Sequence, residues 1–216
     1  MSGAWESRSN SVLCCILHVD TTTIAWSFGF KNLIIPGGFM GLTGMPFDMA
    51  RNSAAMAALD AGAEWLFFLD SDVVAPPDTI LRLMKHKQPI ISGVYHRRSP
   101  PIGHPVMMKG GQFVDDYPAN KIIEVDVVGA GCLLIHTSVL KTLPAQAPGR
   151  HWFRWGVDMK GILDPVDCMS EDYTFCIHSI RHGYKVLVDT SIQCKHIGLA
   201  ESKKNYFGPV EVNAVF

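Results

Sequence analysis

Several features that identify common classes of protein are scarce or missing in this chain of 216 residues. Charged residues make up only 18% and nearly cancel to a formal net charge of −1, so the charge favours neither nucleic acid nor an anionic membrane as a partner. No apolar run reaches the length of a transmembrane helix. Met1 to Asn10 lacks a basic segment followed by an apolar core, so we expect no signal peptide and a cytoplasmic location.

Common signatures of metal and phosphate binding are also missing. The glycines between Lys31 and Gly44 match neither the dinucleotide fingerprint nor the Walker loop. No two cysteines form a Cys-x-x-Cys pair, which argues against a zinc ribbon and favours reduced thiols in a core. The six cysteines are Cys14, Cys15, Cys132, Cys168, Cys176 and Cys194.

The chain does contain enough apolar sequence for a full core, since 48% of its residues are hydrophobic. We expect one domain over 1–216, with tails at 1–10 and 201–216. The predicted strands are Ser11–Val19, Leu33–Ile35, Trp65–Leu69, Pro89–Val94, Ile122–Val128 and Tyr184–Asp189, with a hairpin at 106–114. The predicted helices are Ile24–Phe30, Pro46–Ala61, Pro77–His86 and 170–182. In the second helix, Met49, Met56 and Leu59 recur at helical spacing, which predicts a stripe packed in the core.

The stretch from Glu64 to Asp72 carries the most information. Trp65 to Leu69 is a short unbroken apolar run, typical of a strand buried on both faces of a mainly parallel sheet. The run ends at Asp70 and Asp72, and open α/β sheets bind ligands beyond the carboxyl ends of their strands. Two acids there can hold a hard divalent cation that neutralises a diphosphate. The alternative is that both acids are turn residues before Pro76-Pro77.

The segment Trp65–Asp72, with its Asp-Ser-Asp, resembles the metal- and nucleotide-binding strand end of GT-A fold glycosyltransferases, particularly family 2-like ones. Further matches follow in the family's order, and the resemblance covers about Val12 to Gly198. They are Ala50-Arg51-Asn52, Gly129-Ala130-Gly131-Cys132, Ser170-Glu171-Asp172 and His196. The resemblance implies an α/β, GT-A-like nucleotide-binding fold, with a mainly parallel central sheet flanked by helices and a small β-hairpin.

The resemblance also implies a function. We expect a metal-dependent, hexosyltransferase-like enzyme that moves a sugar from a nucleotide-sugar, with UDP as the expected nucleotide, onto an acceptor hydroxyl. Inversion is favoured over retention. The expected cofactor is Mn²⁺ or Mg²⁺, with Asp72, His196 and Asp70 as the candidate metal-binding residues. A lone histidine such as His196 can equally be structural.

The family places the donor nucleotide against several polar positions, although each has a local explanation as well. Asp20 and Thr21 can be turn residues, Arg51 a solvated helix residue, and Gly131 part of a β-bulge. Arg51 is expected either to meet a phosphate or to support Asp70. The candidate donor-binding residues are Asp20, Thr21, Arg51, Asn52, Asp70, Ser71 and Gly131.

The candidate catalytic residues are Asp172, the first choice for a general base, and Glu171, the second. In the family, a carboxylate at this position faces the acceptor hydroxyl, and a base must lie within hydrogen-bonding reach of the proton it removes. Acids after the capping Ser170 also complement the helix dipole, which explains both residues without catalysis.

Trp152 and Trp155 are the candidate acceptor-binding residues, since exposed tryptophans stack on sugar rings, but they can equally plug a domain surface. The acceptor is unidentified and could be a glycan, a lipid-linked molecule or a small molecule. A homo-oligomer is possible. Two other functions stay open: nucleotidyl transfer to a sugar phosphate, and a catalytically silent module that binds nucleotide-sugars. Nucleotidyltransferases usually have a glycine-rich, arginine-bearing loop after the first strand, where this chain has Asp20-Thr21-Thr22-Thr23.

Overall fold

A computed structural model describes residues 11–17, 21–98, 103–146, 151–155 and 169–197. Within them the chain forms five helices and twelve strands. The helices are α1 (Ile24–Asn32), α2 (Phe47–Asp60), α3 (Thr79–Lys85), α4 (Thr137–Thr142) and α5 (Glu171–Arg181). The strands are β1 (Val12–Leu17), β2 (Gly37–Leu42), β3 (Trp65–Asp70), β4 (Val73–Val74), β5 (Ile90–Val94), β6 (Met107–Lys109), β7 (Gln112–Phe113), β8 (Ile122–Val125), β9 (Val127–Val128), β10 (Cys132–His136), β11 (Val186–Gln193) and β12 (Lys195–His196). None of these helices combines the length and apolar character needed to cross a bilayer.

A seven-stranded sheet, in the order β2-β1-β3-β10-β5-β11-β8, forms the centre of the fold. Five of its strands run in one direction, and β10 and β8 run in the other. The mixed α/β class with a mainly parallel sheet is therefore confirmed. The carboxyl ends of β1, β3 and β5 meet at one edge of the sheet, and Gly129 to Gly131 reach that same edge just before β10 starts its antiparallel course.

The predicted burial of β3 on both faces is confirmed. Leu66 and Phe68 belong to one core cluster, while Trp65, Phe67 and Leu69 belong to the cluster on the other face. Side chains alternate across a strand, so a run with no polar position needs a core on each side. The clusters contain five of the cysteines as free, buried residues, and burial raises the pKa of Cys14, Cys15 and Cys176 to about 12. Cys168 lies outside the described residues.

Helix α2 was placed correctly, but its predicted core stripe was right only for Leu59, which is half-buried and packs against the core. It begins after Pro46 and ends before Gly62, whose φ of +66° suits glycine. Met49 and Met56 are 45% and 44% exposed. The buried face instead carries Ala50, Ala54, Ala55 and Ala58. Small side chains let the helix lie close to β1 and β3, so the larger methionines are left on the outside.

Two predicted strands differ from those in the structure. Leu33–Ile35 is not a strand, and the sheet edge is formed by Gly37–Leu42, which pairs in parallel with β1. The predicted strand Ile122–Val128 divides at Asp126, whose carboxylate accepts a hydrogen bond from the Gly110 amide at 2.6 Å. The first half, β8, joins the central sheet, whereas β9 joins the small sheet that contains the predicted β6–β7 hairpin.

A short antiparallel pair beyond the central sheet positions two of the candidate metal ligands. Strand β4 follows Asp72 directly and pairs with β12, so that His196 lies opposite Val73. The Ile197 amide donates to the Asp72 carbonyl at 2.7 Å. The backbone pairing, rather than a long flexible loop, therefore brings the histidine to the aspartate.

Candidate active site

The carboxyl end of β3 is held by backbone contacts from three sides. The Asp70 amide donates to the Gly131 carbonyl at 3.2 Å, and the Ser71 amide donates to the Leu17 carbonyl at 3.1 Å. The indole Nε1 of Trp26, on α1, donates to the Asp70 carbonyl at 3.0 Å. The backbone of Asp70 and Ser71 is thus fixed by the neighbouring strands and by α1. These contacts use backbone groups and do not involve the aspartate carboxylates.

Arg51, on α2, is a buried cation that links this strand end to the start of α5. Its side chain is 3% exposed. Nη2 lies 3.2 Å from Asp70 Oδ1, and Nε lies 2.9 Å from Glu171 Oε1. Of the two roles expected for Arg51, the contact with Asp70 is present in the structure, and the contact with a donor phosphate stays a prediction.

The charges in this cluster do not balance. One guanidinium contacts two carboxylates, and Asp172 is close enough to influence the titration of both. Burial and the neighbouring Asp172 raise the pKa of Glu171 to about 7, against the opposing effect of Arg51. Burial also raises the pKa of Asp70, although Arg51 partly offsets it. Protonating Glu171 near neutral pH is the simplest way to relieve the excess negative charge.

This shift predicts a pH-dependent stability. The pKa of Glu171 rises from 4.5 to about 7 on folding, so between these values the folded protein keeps a proton that the unfolded chain has lost. The free energy of unfolding should therefore fall as the pH rises through that range. Glu171→Gln should flatten this decline in urea titrations at several pH values. Glu124→Gln is the control, because Lys185 lowers rather than raises the pKa of Glu124. An unchanged slope in Glu171→Gln would show that Glu171 is ionised throughout.

Asp172 is half-buried and held in one orientation by three donors. The Ala130 amide donates to Oδ2 at 3.1 Å, and the Tyr173 amide donates to Oδ1 at 2.8 Å. The Ser170 hydroxyl also donates to Oδ1, which replaces the capping bond expected of that serine. Because Ala130 precedes Gly131, these contacts bring Asp172 to the same sheet edge as Asp70. Glu171 is only 4% exposed and is committed to Arg51, so Asp172 is the more accessible carboxylate.

Gly131 and Gly129 are required by a tyrosine rather than by an open ligand site. The Tyr95 hydroxyl accepts a hydrogen bond from the Gly131 amide at 3.0 Å. A Cβ at Gly129 would lie 2.0 Å from that hydroxyl, and one at Gly131 would lie 2.9 Å from Tyr95 Cζ. Both backbone groups of Gly131 are therefore used within the protein, and its predicted contact with the donor is replaced by a role in positioning Asp70 and Tyr95.

Asp72 and His196 have the chemistry of a pair of metal ligands. His196 Nδ1 lies 2.7 Å from the His96 carbonyl, which can only accept, so Nδ1 carries the hydrogen and Nε2 faces Asp72 Oδ1 at 3.4 Å. Two adjacent ligands about 2.1 Å from one cation lie about 3.0–3.4 Å apart, so this spacing fits. Burial opposes ionisation of Asp72, but Arg98 and His196, when its imidazole is also protonated at Nε2, outweigh burial and lower the pKa of Asp72. Among the described residues, no three His, Cys, Asp or Glu side chains converge as a complete metal site.

The two tryptophans predicted to bind the acceptor have different environments. Trp152 is 5% exposed and its Nε1 donates to the Leu140 carbonyl at 2.8 Å, so its ring belongs to the core and cannot stack on an acceptor. Trp155 is 44% exposed, so it is the one of the two tryptophans that can still be expected to stack on an acceptor sugar. The adjacent Phe153 packs between Phe68 and Phe175, which explains why the segment turns inward.

Asn52 anchors the same aromatic segment. Its Nδ2 donates to the carbonyls of Asp48 and Phe153 at 2.8 and 2.7 Å. Its Oδ1 accepts from the amides of Trp152 and Phe153 at 3.0 and 3.3 Å. The amide therefore has its hydrogen-bonding groups engaged within the protein, and the predicted contact with a nucleotide is replaced by a structural role.

Of the two candidates after β1, Thr21 is exposed at the start of the described segment, and Asp20 lies outside the described residues. The sequence analysis assigned no individual role to Tyr95, Trp26 or Arg98, although all three contact the aspartate segment or its glycine neighbours. Tyr95 and Arg98 belong to the basic segment after β5, which the sequence alone left open between contacting phosphate and being a solvated connection.

No family model matches the sequence, and no curated protein matches it either. Solved structures do resemble the fold. A197 from STIV has a TM-score of 0.62 at 16% identity, with 88% of this chain and 86% of that chain covered. GalNAc-T7, crystallised with UDP, GalNAc and Mn²⁺, has a TM-score of 0.55 at 11% identity. That match covers 94% of this chain but 46% of the GalNAc-T7 chain, so the present chain corresponds to about half of it.

At these identities the resemblance concerns the fold alone. The mainly parallel central sheet flanked by helices agrees with the architecture expected from the sequence, whereas the antiparallel course of β10 within it was not predicted. The chain therefore has a mixed α/β fold of the GT-A-like type.

Proposed function

We propose that the protein is a metal-dependent glycosyltransferase that moves a sugar from a nucleotide-sugar to an acceptor hydroxyl. One observation carries the proposal: Asp70 and Asp172 are joined through Gly131 and Ala130 at one edge of a GT-A-like sheet, and Asp72 follows Asp70 by two residues. GalNAc-T7 was crystallised with UDP, GalNAc and Mn²⁺, which supports UDP-sugars as the first donors to test. The three aspartates would divide the chemistry between a donor side and an acceptor side.

On the donor side, Asp72 and His196 would hold Mn²⁺ or Mg²⁺, with donor phosphates and water completing the coordination. When bound, the cation would neutralise the charge that develops on the leaving diphosphate. Asp70, oriented by Arg51, would hold the ribose or support the metal ligands. Thr21, which is exposed, and Ser71, which follows Asp70 in the chain, are the further candidate contacts to the nucleotide.

On the acceptor side, Asp172 would remove the proton from the acceptor hydroxyl. Its two oxygens accept three hydrogen bonds, so a carboxylate with about four acceptor positions keeps capacity for one more. Trp155 offers an exposed ring against which an acceptor sugar could stack. A base opposite the leaving group favours inversion, whereas Glu171 is too buried to act as the second carboxylate that a covalent mechanism would require.

A donor-hydrolysis screen over nucleotide-sugars, with and without Mn²⁺, tests this function. We expect hydrolysis of a UDP-sugar that depends on Mn²⁺ and is lost in Asp72→Asn, which keeps the size of the side chain but removes its charge. Glu124→Gln removes an exposed carboxylate far from the site and serves as the control. Tight binding without turnover would favour the silent module instead. Formation of a nucleotide-sugar from a nucleoside triphosphate and a sugar phosphate would favour nucleotidyl transfer.

A further inference from the structure

Arg98 forms an ion pair with Asp72, the candidate metal ligand. Its Nη1 lies 2.8 Å from Asp72 Oδ2 and 3.4 Å from the Ile197 carbonyl. The Arg98 side chain is 49% exposed, whereas that of Asp72 is 25% exposed. One oxygen of Asp72 therefore faces a guanidinium while the other faces His196.

The two partners of Asp72 differ in how firmly they are held. His196 is fixed by the β4–β12 pairing and by its bond to the His96 carbonyl. Arg98 reaches Asp72 from the loop after β5 with a long, half-exposed side chain, and exposed ion pairs of this kind are weak. Arg98 can therefore leave Asp72 without disturbing a secondary structure element, whereas His196 cannot.

A divalent cation at Asp72 would lie close to the guanidinium, and the two positive charges would repel each other. A metal that arrives alone must displace Arg98 and offers it no other partner. A metal that arrives with a diphosphate brings anionic oxygens that a guanidinium binds well, through strong charge-assisted hydrogen bonds. Arg98 thus opposes binding of the metal alone and favours binding of the metal together with a diphosphate.

We propose that Arg98 is a positioning residue that moves from Asp72 to the donor diphosphate, and so couples metal binding to nucleotide binding. The inference rests on the proposed function and extends it to the order in which the donor site fills. Linkage requires the coupling to be reciprocal, so the diphosphate raises the affinity for the metal as much as the metal raises that for the diphosphate. The chain would then select a metal–diphosphate complex over either component.

The test compares Arg98→Ala with the wild-type chain in two titrations. In the first, Mn²⁺ alone is titrated and free Mn²⁺ is measured by its paramagnetic resonance signal. We expect Arg98→Ala to bind Mn²⁺ about two- to fivefold more tightly, the size expected from loss of a weak competing ion pair. In the second, UDP is titrated calorimetrically at saturating Mn²⁺. Here Arg98→Ala should bind about tenfold more weakly, since a charge-assisted contact to phosphate is lost.

Arg97→Ala is the matched control, because Arg97 has the same charge in the same loop but lies over the ring of Phe113, 5.3 Å from its centroid. Arg98→Lys should keep part of both effects. Changes of the same sign in both titrations, or equal changes in Arg97→Ala, would overturn the proposal. So would a wild-type chain and an Arg98→Ala variant that both fail to bind Mn²⁺ alone.

The two titrations also separate this proposal from the proposed function. Donor hydrolysis with unchanged binding in Arg98→Ala would overturn the role of Arg98 and leave the transferase intact. Tighter Mn²⁺ binding in Arg98→Ala without any binding of UDP would overturn both, and would identify Arg98 as a simple counter-ion of Asp72.

Discussion

Replacing Asp172 with asparagine is expected to slow transfer to the acceptor by about 10²–10⁴-fold, the usual contribution of a general base. Binding of donor and Mn²⁺ should be nearly unchanged, because Asp172 is proposed to act on the acceptor and its carboxylate accepts hydrogen bonds from Ala130, Ser170 and Tyr173 rather than from the proposed metal site. The measurement is the transfer rate at saturating donor, together with the affinity for UDP and Mn²⁺.

The same substitution should have only a small effect on stability. Asp172 lies in the first turn of α5, where loss of its charge is expected to cost about 0.3–1 kcal/mol. Asparagine keeps one acceptor oxygen, although its amide nitrogen would face one of the donors that now point at the carboxylate. Thermal melts of the variant therefore show whether any loss of rate comes from unfolding.

Glu171→Gln is the matched control, since it removes a carboxylate from the same turn of the same helix. Glu171 is buried against Arg51, so its replacement should change stability and its pH dependence more than the rate. Equal and small losses of rate in the two variants would remove Asp172 from the mechanism. A large loss confined to Glu171→Gln would transfer the role of base to Glu171.

The second large effect is expected in stability, at Arg51. Arg51→Met keeps an apolar chain of similar length over the ring of Phe68, which now lies 5.0 Å from the guanidinium carbon. It leaves Asp70 and Glu171 without their buried cation, and breaking a buried pair from one side typically costs about 3–5 kcal/mol. Urea unfolding at about pH 8 should show this loss, which should shrink at lower pH as the carboxylates protonate.

Two further variants test the cause of this loss. Lys185→Met breaks an ion pair of 2.7 Å with Glu124 that is exposed on both sides, and should leave the midpoint of unfolding unchanged. Adding Glu171→Gln to Arg51→Met should restore part of the stability, because one uncompensated carboxylate is removed. A loss in Arg51→Met no larger than that in Lys185→Met would contradict the assignment of Arg51 as the cation that holds the cluster together.

Much of the fold could be predicted because it depends on neighbouring residues. Five successive apolar side chains from Trp65 to Leu69 can all be buried only if both faces of the strand are covered, and the structure has a core on each side. Proline and glycine limit the conformations of the backbone, so Pro46 and Gly62 marked the ends of α2 to within a residue. The turn between β6 and β7 follows from Gly110 and Gly111, which both have positive φ.

Predictions failed where a residue's environment is set by distant parts of the chain. The edge strand β2 is recruited by β1, so glycine-rich residues 37–42 pair in place of the more apolar Leu33–Ile35. The inner face of α2 depends on the close approach of the sheet, which alanine permits and methionine does not. The sequence allowed Trp152 to be exposed. In the structure its backbone amide donates to the side chain of Asn52, about 100 positions earlier in the chain, and its ring is buried.

The sequence by itself determined the architecture and the list of candidate acids, because strand burial, helix caps and turn residues act over a few positions. Only the tertiary structure decided what those acids contact. Arg51 meets Glu171 across 120 positions, and His196 reaches Asp72 through the pairing of β4 with β12. Side chains so far apart in sequence meet only once strand order and register are set, and their pKa values and roles follow from those contacts.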